Sequence, residues 1–516
     1  MAIESRLIKE LISEFNMSDI KKKMLDGERY FRDQNDILKK DLKTYTVFDQ
    51  KTGNKKQIVN ENKSDEHLPH GFYWKQVNQK KAYICGKAIT ITYNTPAADG
   101  DKDEKTKKAE KKITNMIWNT LGPKFEKLIK NRVKEASNKG RAWLHPNYRN
   151  GKLVFEKYPT EECIPIYDNE TQTYLIGFIH FYTIQDLTGD KPEDKIYVEY
   201  WDEKEVRYYI ETKVNNTTIF LEDVTRERPM CHWYREIYDN ALNNLKRVER
   251  HSWGKVPFIE IENNEEKMTD LEPIKPLIDA YDLINSNYVN TVEDLKEIIW
   301  LITGYGAEDL LALIENLKIN GVARTNDMAG KIDAKLLDIP YEARQALLKG
   351  LKELIYEFGR AVDTSNKDLI GQAPSGVSLE FLYTDLDMKA DDMIGGLTSA
   401  LYEVLWYVLE DLKMQGKIPQ EINEFDFKIE FNKSRIFNEA EKVNTLNNDT
   451  ILSTKTKLEK HPYCDDVDIE LQRIKEERQE NMKMQSQIFN SSGGFEDNNN
   501  EDDKNNKNKE ENTNKE

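Results

Sequence analysis

Two long helical patterns separated by a long polar segment constrain this chain more than any other feature. Residues 341–358 place Leu347, Leu348, Leu351, Leu354 and Ile355 at helical spacing, and Gly359 follows where a helix can end in a left-handed turn. Residues 362–376 are polar, run through Ser365, Asn366, Lys367 and Gln372, and close on Pro374 and Gly376. A second helical pattern then occupies 379–414, with Gly395-Gly396 as the place to expect a kink. A loop of about fifteen residues between two long helices is uncommon in compact domains and is usually functional.

The totals bound the alternatives. At 516 residues the chain exceeds one simple core, so two to four domains are expected. A net charge of −17 argues against gripping nucleic acid electrostatically, because tight non-specific binders present Lys/Arg surfaces that release counterions from phosphates. The longest apolar runs, such as 298–303, are far too short to span a bilayer. The first residues carry charges every few positions, unlike a secretory signal peptide. Cys85, Cys163, Cys231 and Cys464 are widely scattered, which fits a reducing compartment better than a disulfide framework.

Along the chain, Leu7, Ile8, Leu11, Ile12 and Phe15 predict an N-terminal helix, with a second short one near Tyr30 and a loop over 44–66. A helix is expected over 74–86, a strand over 89–93, and one helix over 113–138. Asp99, Asp101, Asp103 and Glu110 sit at positions 1, 3, 5 and 12 of a calcium-loop pattern, but Glu104 occupies the sixth position, where the turn needs glycine. A solvated charged loop leading into a helix is therefore expected. From 142 to 261 the pattern becomes a meander of strands whose aromatics suit a sheet core. Ile274, Leu277, Ile278, Tyr281, Ile284, Tyr288, Val292, Leu295 and Ile299 then mark one helical face, a rod of roughly 42 Å at 1.5 Å per residue. A strand is expected at 425–431 and helices from 438, 455 and 466. The last 26 residues hold eight Asn, eight acids and four Lys, too little apolar surface to fold.

No phosphate-binding loop, zinc-protease helix, nucleophile elbow or dinucleotide signature is present, which argues against a nucleotide-driven motor. His67, His70, His145, His180, His232, His251 and His461 are dispersed, and the adjacent Cys231-His232 lacks metal-ligand spacing. No catalytic residue, cofactor or metal is assigned.

The order of short segments adds a resemblance. The helix–loop–helix at 341–414 closely resembles the tunnel-loop region of portal proteins from tailed double-stranded DNA bacteriophages. Residues 30–38, 77–89, 140–145, 164–168, 253–259, 277–282 and 449–456 with His461-Pro462 match that family in the same order. The resemblance implies an α+β portal-type fold. Residues 1–268 would form a mixed wing, 269–300 and 341–361 paired stem helices, and 301–340 a small clip. Residues 362–376 would form the tunnel loop, 377–432 a long wing helix and strand, 433–486 a helical crown, and 487–516 a disordered tail.

It also implies a non-enzymatic ring, typically of twelve copies, at one capsid vertex, present in host cytoplasm during assembly and without a membrane. The implied partners are double-stranded viral DNA, the terminase large subunit, a head-completion or adaptor protein, and the major capsid and scaffolding proteins. Ser365, Asn366, Lys367 and Gln372 would face DNA, with Gly359, Pro374 and Gly376 as hinges. Glu308, Asp309, Asn320 and Arg324 would lie in the docking clip. With Lys367 beside Asp363 and Asp368, the loop is not positive, which favours sliding, sealing or gating over a strong grip. An acidic balance suits a conduit, because many phosphate contacts would hinder movement. The alternative is a non-conduit adaptor or baseplate component, which would not need the helix–loop–helix.

Overall fold

The helical pattern after the loop becomes the spine of the main core. Leu386, Ala390, Met393, Leu397, Leu401, Val404, Val408 and Leu412 repeat at helical spacing and are all at most 3% exposed. A Leu or Met buried this fully contributes about 1.5–3 kcal/mol relative to exposure. In the computed structural model the described residues are 4–48, 55–59, 63–95, 104–186, 192–214, 217–238, 245–294, 299–303, 331–335, 341–365, 376–434, 439–461, 463–464 and 467–491.

In chain order, α1 (Ser5–Met17) and α2 (Asp19–Phe31) precede a hairpin of β1 (Thr44–Phe48) and β2 (Lys55–Val59). Helix α3 (Phe72–Cys85), β3 (Thr90–Tyr93), α4 (Glu104–Leu121) and α5 (Phe125–Lys139) follow. The β-rich stretch holds β4 (Arg141–Arg149), β5 (Lys152–Tyr158), β6 (Cys163–Tyr167), β7 (Leu175–Asp186), β8 (Glu193–Trp201), β9 (Glu205–Val214) and β10 (Thr217–Glu222). It continues through β11 (Met230–Cys231), β12 (Trp233–Tyr238), β13 (Leu245–His251) and β14 (Ile259–Glu262). Then come α6 (Lys275–Asp294), β15 (Ile299–Thr303), β16 (Lys331–Lys335), α7 (Tyr341–Phe358), α8 (Gly376–Met414) and β17 (Phe427–Glu430). The last helices are α9 (Glu439–Asn448), α10 (Thr454–Glu459) and α11 (Val467–Ser491).

The chain divides into two compact units, Met1–Ala373 with Glu380–Arg435, and Pro374–Leu379 with Ile436–Glu516. In the first, helices and antiparallel sheets segregate, an α+β arrangement. Strands β6 to β10 form the expected meander in the spatial order β10-β9-β8-β7-β6, with β11 beside β9. Pro165 lies in edge strand β6, where a missing N–H costs no ladder bond. Helix α1 buries Ile8 and Ile12 on one face of this sheet, against Ile179, Phe181 and Phe220. The other face packs Phe178 and Trp201 against Trp143 and Phe258, so these aromatics are sheet core as expected. The three-stranded sheet β14-β4-β5 and the pair β17-β3 pack with α4, α5 and α8 around the main core. In the second unit, Ser453 caps α10 by accepting the Thr456 N–H. No helix of the described residues is long and apolar enough to cross a membrane.

Several expectations are corrected. The polar stretch 44–66 contains the β1–β2 hairpin, where Tyr45 pairs with Ile58 and Val47 with Lys56; β-branched and aromatic residues outweigh the flanking polarity. The single helix expected over 113–138 is two, because Gly122 takes φ +75° after α4 and Pro123 cannot continue it. The rod expected to reach Ile299 and Trp300 ends as a helix at Asp294, about 30 Å long, and Ile299–Thr303 pairs with Lys331–Lys335 instead. Ile298 to Thr303 is a run of β-branched and large apolar residues, which extended backbone accommodates better. Helix α8 continues through Gly395-Gly396, and Gly396 serves close packing: a Cβ there would lie 3.0 Å from the Glu262 carbonyl. Of the calcium-loop pattern, Asp99, Asp101 and Asp103 lie outside the described residues. Glu104 begins α4, and Glu110 accepts the Thr95 N–H at 2.8 Å.

Gly140 makes the sharpest backbone demand. It ends α5 at φ +79°, and a Cβ there would stand 2.0 Å from the Lys267 carbonyl. Gly140→Ala is expected to cost at least about 2 kcal/mol, from left-handed strain and overpacking together. A urea midpoint within error of the parent would refute this.

Candidate functional site

Helices α6 and α7 meet α3 in a small apolar cluster of Tyr73, Val77, Ile274, Ile278 and Ile355, and the loop leaves from the end of α7. That exit is pinned. The α7 backbone closes with Arg360 N–H to the Glu357 carbonyl and Ala361 N–H to the Tyr356 carbonyl, both at 3.0 Å. This pair of bonds is a Schellman cap, and its left-handed residue is Arg360 (φ 48°) rather than the expected Gly359. Gly359 is required for a different reason: a Cβ would stand 2.2 Å from Gln76 Oε1.

Helix α3 supplies two amides to this exit. Gln76 Nε2 donates to the Ile355 carbonyl at 3.0 Å. Gln79 accepts the Val362 N–H at 3.1 Å and donates to the Val362 carbonyl at 3.2 Å, as a neighbouring strand would. Beyond it, Asp363 takes Lys352 at 2.8 Å, and its other oxygen accepts both the N–H and hydroxyl of Ser365. Lys352 also donates to the Ser365 hydroxyl at 2.7 Å. Burial raises the Asp363 carboxyl's affinity for a proton, but Lys352 and the Ser365 bonds together hold it below the usual range.

Beneath the exit lies a buried charge cluster. Lys389 of α8 donates to the Gly359 carbonyl at 2.9 Å and lies 3.3 Å from Asp270; Lys80 of α3 lies 3.2 Å from Asp270 and donates to Asn263 at 2.6 Å. Lys80, Lys389 and Asp270 are 1%, 8% and 6% exposed. One carboxylate thus serves two ammonium groups. The remaining neutralisation comes from Asn263 and from the carbonyl end of α7, where the helix dipole favours a cation. Burial alone would raise the Asp270 carboxyl, yet the two lysines bring it down to about 2. Burial lowers Lys80 to about 8, since its half-share of Asp270 does not offset the loss of water.

A second anchorage holds an extended strap, residues 66–70, along α6. Asn290 accepts the Glu66 N–H at 2.7 Å and donates to its carbonyl at 3.1 Å. Ser286 accepts the Leu68 N–H at 3.0 Å, and Asp282 binds His70 at 2.7 Å and Asn35 at 2.6 Å. Asp282, Ser286 and Asn290 are all 0% exposed and repeat every four residues, one polar stripe on a helix. Asn290→Leu is expected to strand the Glu66 backbone groups at about 1–3 kcal/mol. Hydrogen exchange at 66–70 should quicken at least tenfold, and unchanged exchange would refute the strap.

The residues expected to act fall unevenly on this geometry. Ser365 is part of the anchored base and Gly376 begins α8, whereas Asn366, Lys367, Gln372 and Pro374 lie outside the described residues. Glu308, Asp309, Asn320 and Arg324 also lie outside them; of 301–340, the described residues belong to β15 and β16. Sequence reasoning missed Gln76, Gln79, Lys80, Asp270 and Lys389. The available signal was Gln76 and Lys80 one turn apart on the inward face of α3 beside Val77 and Ile84. Cys231-His232 is ordinary packing: Cys231 Sγ donates to the Trp233 carbonyl, and His232 is bonded to the Asp202 carbonyl. Among the described residues, no three His, Cys, Asp or Glu are grouped to hold a metal.

Comparison with known proteins adds a direct result. The sequence model of the family described as phage portal protein, SPP1 Gp6-like, matches residues 14–484. The portal protein of Bacillus phage SPP1 is 27% identical over 500 residues, covering 96% of this chain and 90% of the relative. The portal protein of Clostridium phage phiCD119 is 26% identical over 468 residues, covering 87% and 91%.

Proposed function

This chain belongs to the phage portal protein family, SPP1 Gp6-like, and from that premise we propose that it forms a closed ring at one capsid vertex through which the genome is packaged and ejected. The observation that carries this reading is the match to named portal proteins over almost the whole chain. The stem geometry supports it. Leu347, Leu354 and Phe358 share one side of α7, yet they are 51%, 37% and 55% exposed in the single chain. A stripe of that kind is what a neighbouring copy would cover.

In this reading α6 and α7 are the stem, 301–340 is the clip that docks the terminase and later the head-completion protein, and the helices after 433 form the crown. Twelve copies would close the ring, with the capsid and scaffolding proteins around it. Its role is structural rather than catalytic. Because 359–365 are tied to α3, α7 and α8, the part of the tunnel loop free to follow DNA would begin after Ser365, not at Gly359. Shortening 365–374 should therefore leave rings intact while cutting nuclease-protected DNA per particle at least tenfold in a complementation assay. Normal packaging by the shortened protein would overturn the loop's role, and loss of rings would make it structural.

A further inference from the structure

A cavity of about 1010 Å³ lies apart from the loop, between the β4–β5 hairpin, β8, β9, β12 and the end of α8. Its walls are aromatic, with Tyr158, Trp201 and Tyr208 among them, and its polar groups are mostly acceptors. His145 is 2% exposed, and its Nδ1 lies 2.6 Å from the Pro257 carbonyl. A carbonyl can only accept, so the proton sits on Nδ1 and the Nε2 lone pair is left without a protein partner. Burial keeps this ring neutral, pushing it down to about 4. His232 offers nothing further: its Nε2 donates to the Asp202 carbonyl at 2.9 Å and its Nδ1 accepts the Trp253 N–H at 3.3 Å.

The carboxylate beside His145 is Glu199. Trp201, whose ring is 4.6 Å from His145, donates its Nε1–H to Glu199 at 3.2 Å, and His180 lies 3.5 Å away. Burial would raise the Glu199 carboxyl, but His180 and Trp201 hold it below the usual range, so it carries its charge. The lining has a second carboxylate, Asp411, already engaged by Tyr148 at 2.7 Å and Gln415 at 2.8 Å. The single cationic side chain of the lining, Arg149, is exposed at the rim and ion-paired with Glu156.

We propose that this cavity binds an alkylammonium group, whose N–H donors meet Glu199 and the His145 Nε2 while the aromatic walls receive its charge. An anion would face two carboxylates and no free cation here. A neutral apolar ligand would leave the Glu199 charge and the His145 lone pair unmatched. An ammonium satisfies both, and the ring quadrupoles add attraction. Tyr208 already receives a cation in this way, the Arg226 guanidinium 3.8 Å from its ring centroid. The group could be the end of a free polyamine or a lysine side chain of another protein.

Calorimetry on the full-length protein separates these sources, with putrescine, Nα-acetyl-lysinamide and the neutral isostere 1,4-butanediol as probes. Saturable putrescine binding without diol binding is the expected result, weakened at least tenfold by Glu199→Gln. Binding of putrescine alone assigns a polyamine, and equal binding of the lysine amide assigns a protein side chain. Absence of binding by either amine, or equal binding of the diol, overturns the proposal. The diol comparison uses the unmodified protein and so stands even where Glu199→Gln fails to fold.

Discussion

Exchanging Asp270 for asparagine is expected to destabilise the first unit by about 3–5 kcal/mol, among the largest effects open to a single isosteric change in this chain. The substitution keeps the shape but leaves Lys80 and Lys389 buried without their shared counter-charge. Because Lys389 also holds the Gly359 carbonyl, the loss should spread to the base of the loop and speed hydrogen exchange at 359–363. The pH dependence has a definite sign. The Asp270 carboxyl sits at about 2 in the folded chain against 3.8 for a free side chain, so its contribution is complete above about pH 4 and disappears as pH falls towards 2. The gap in urea midpoint between parent and variant should therefore narrow over that interval. Lys80 works the other way: brought down to about 8, it costs stability while charged, and that cost eases as pH rises from 8 towards 10.5. A variant within about 1 kcal/mol of the parent at pH 7 would remove the charge cluster from the account.

The second large effect concerns assembly rather than folding. Leu347→Asp combined with Phe358→Asp should leave the single chain folded, because both side chains are about half exposed and surface changes of this kind usually cost within about 0.5 kcal/mol. The same pair should abolish ring closure, since each interface would have to bury unpaired carboxylates. Sedimentation should then give a monomer with the parent's circular dichroism. Rings of parental size from the double variant would show that this side of α7 is not an interface.

What the sequence discloses here follows the apolar pattern and little else. Helix α7 is found at its expected limits because Leu347 to Ile355 repeat cleanly and Gly359 follows. Where apolar segments abut, the reading overruns: Ile299 continues the α6 period numerically but belongs to β15. Where strands are polar, as in Lys55–Val59, it sees a loop. The polar stripe Asp282–Ser286–Asn290 escapes because its partner is a strap more than 200 residues earlier, and no local pattern reports that. The same holds for Asp270, whose two lysines come from α3 and α8. Gly359 was placed correctly at the helix end but for the wrong reason, since its need is close approach to Gln76 and the left-handed turn falls on Arg360. Lys367 and the clip residues stand as expectations from family resemblance alone.

The central claim is that copies of this chain close into a channel. Cryo-electron microscopy of the purified full-length protein, with mass determination on the same sample, tests it most directly. The account predicts closed rings, twelvefold or close to it, with α6 and α7 lining a central opening wide enough for duplex DNA. A filament, or an open stack with no continuous channel, would contradict it.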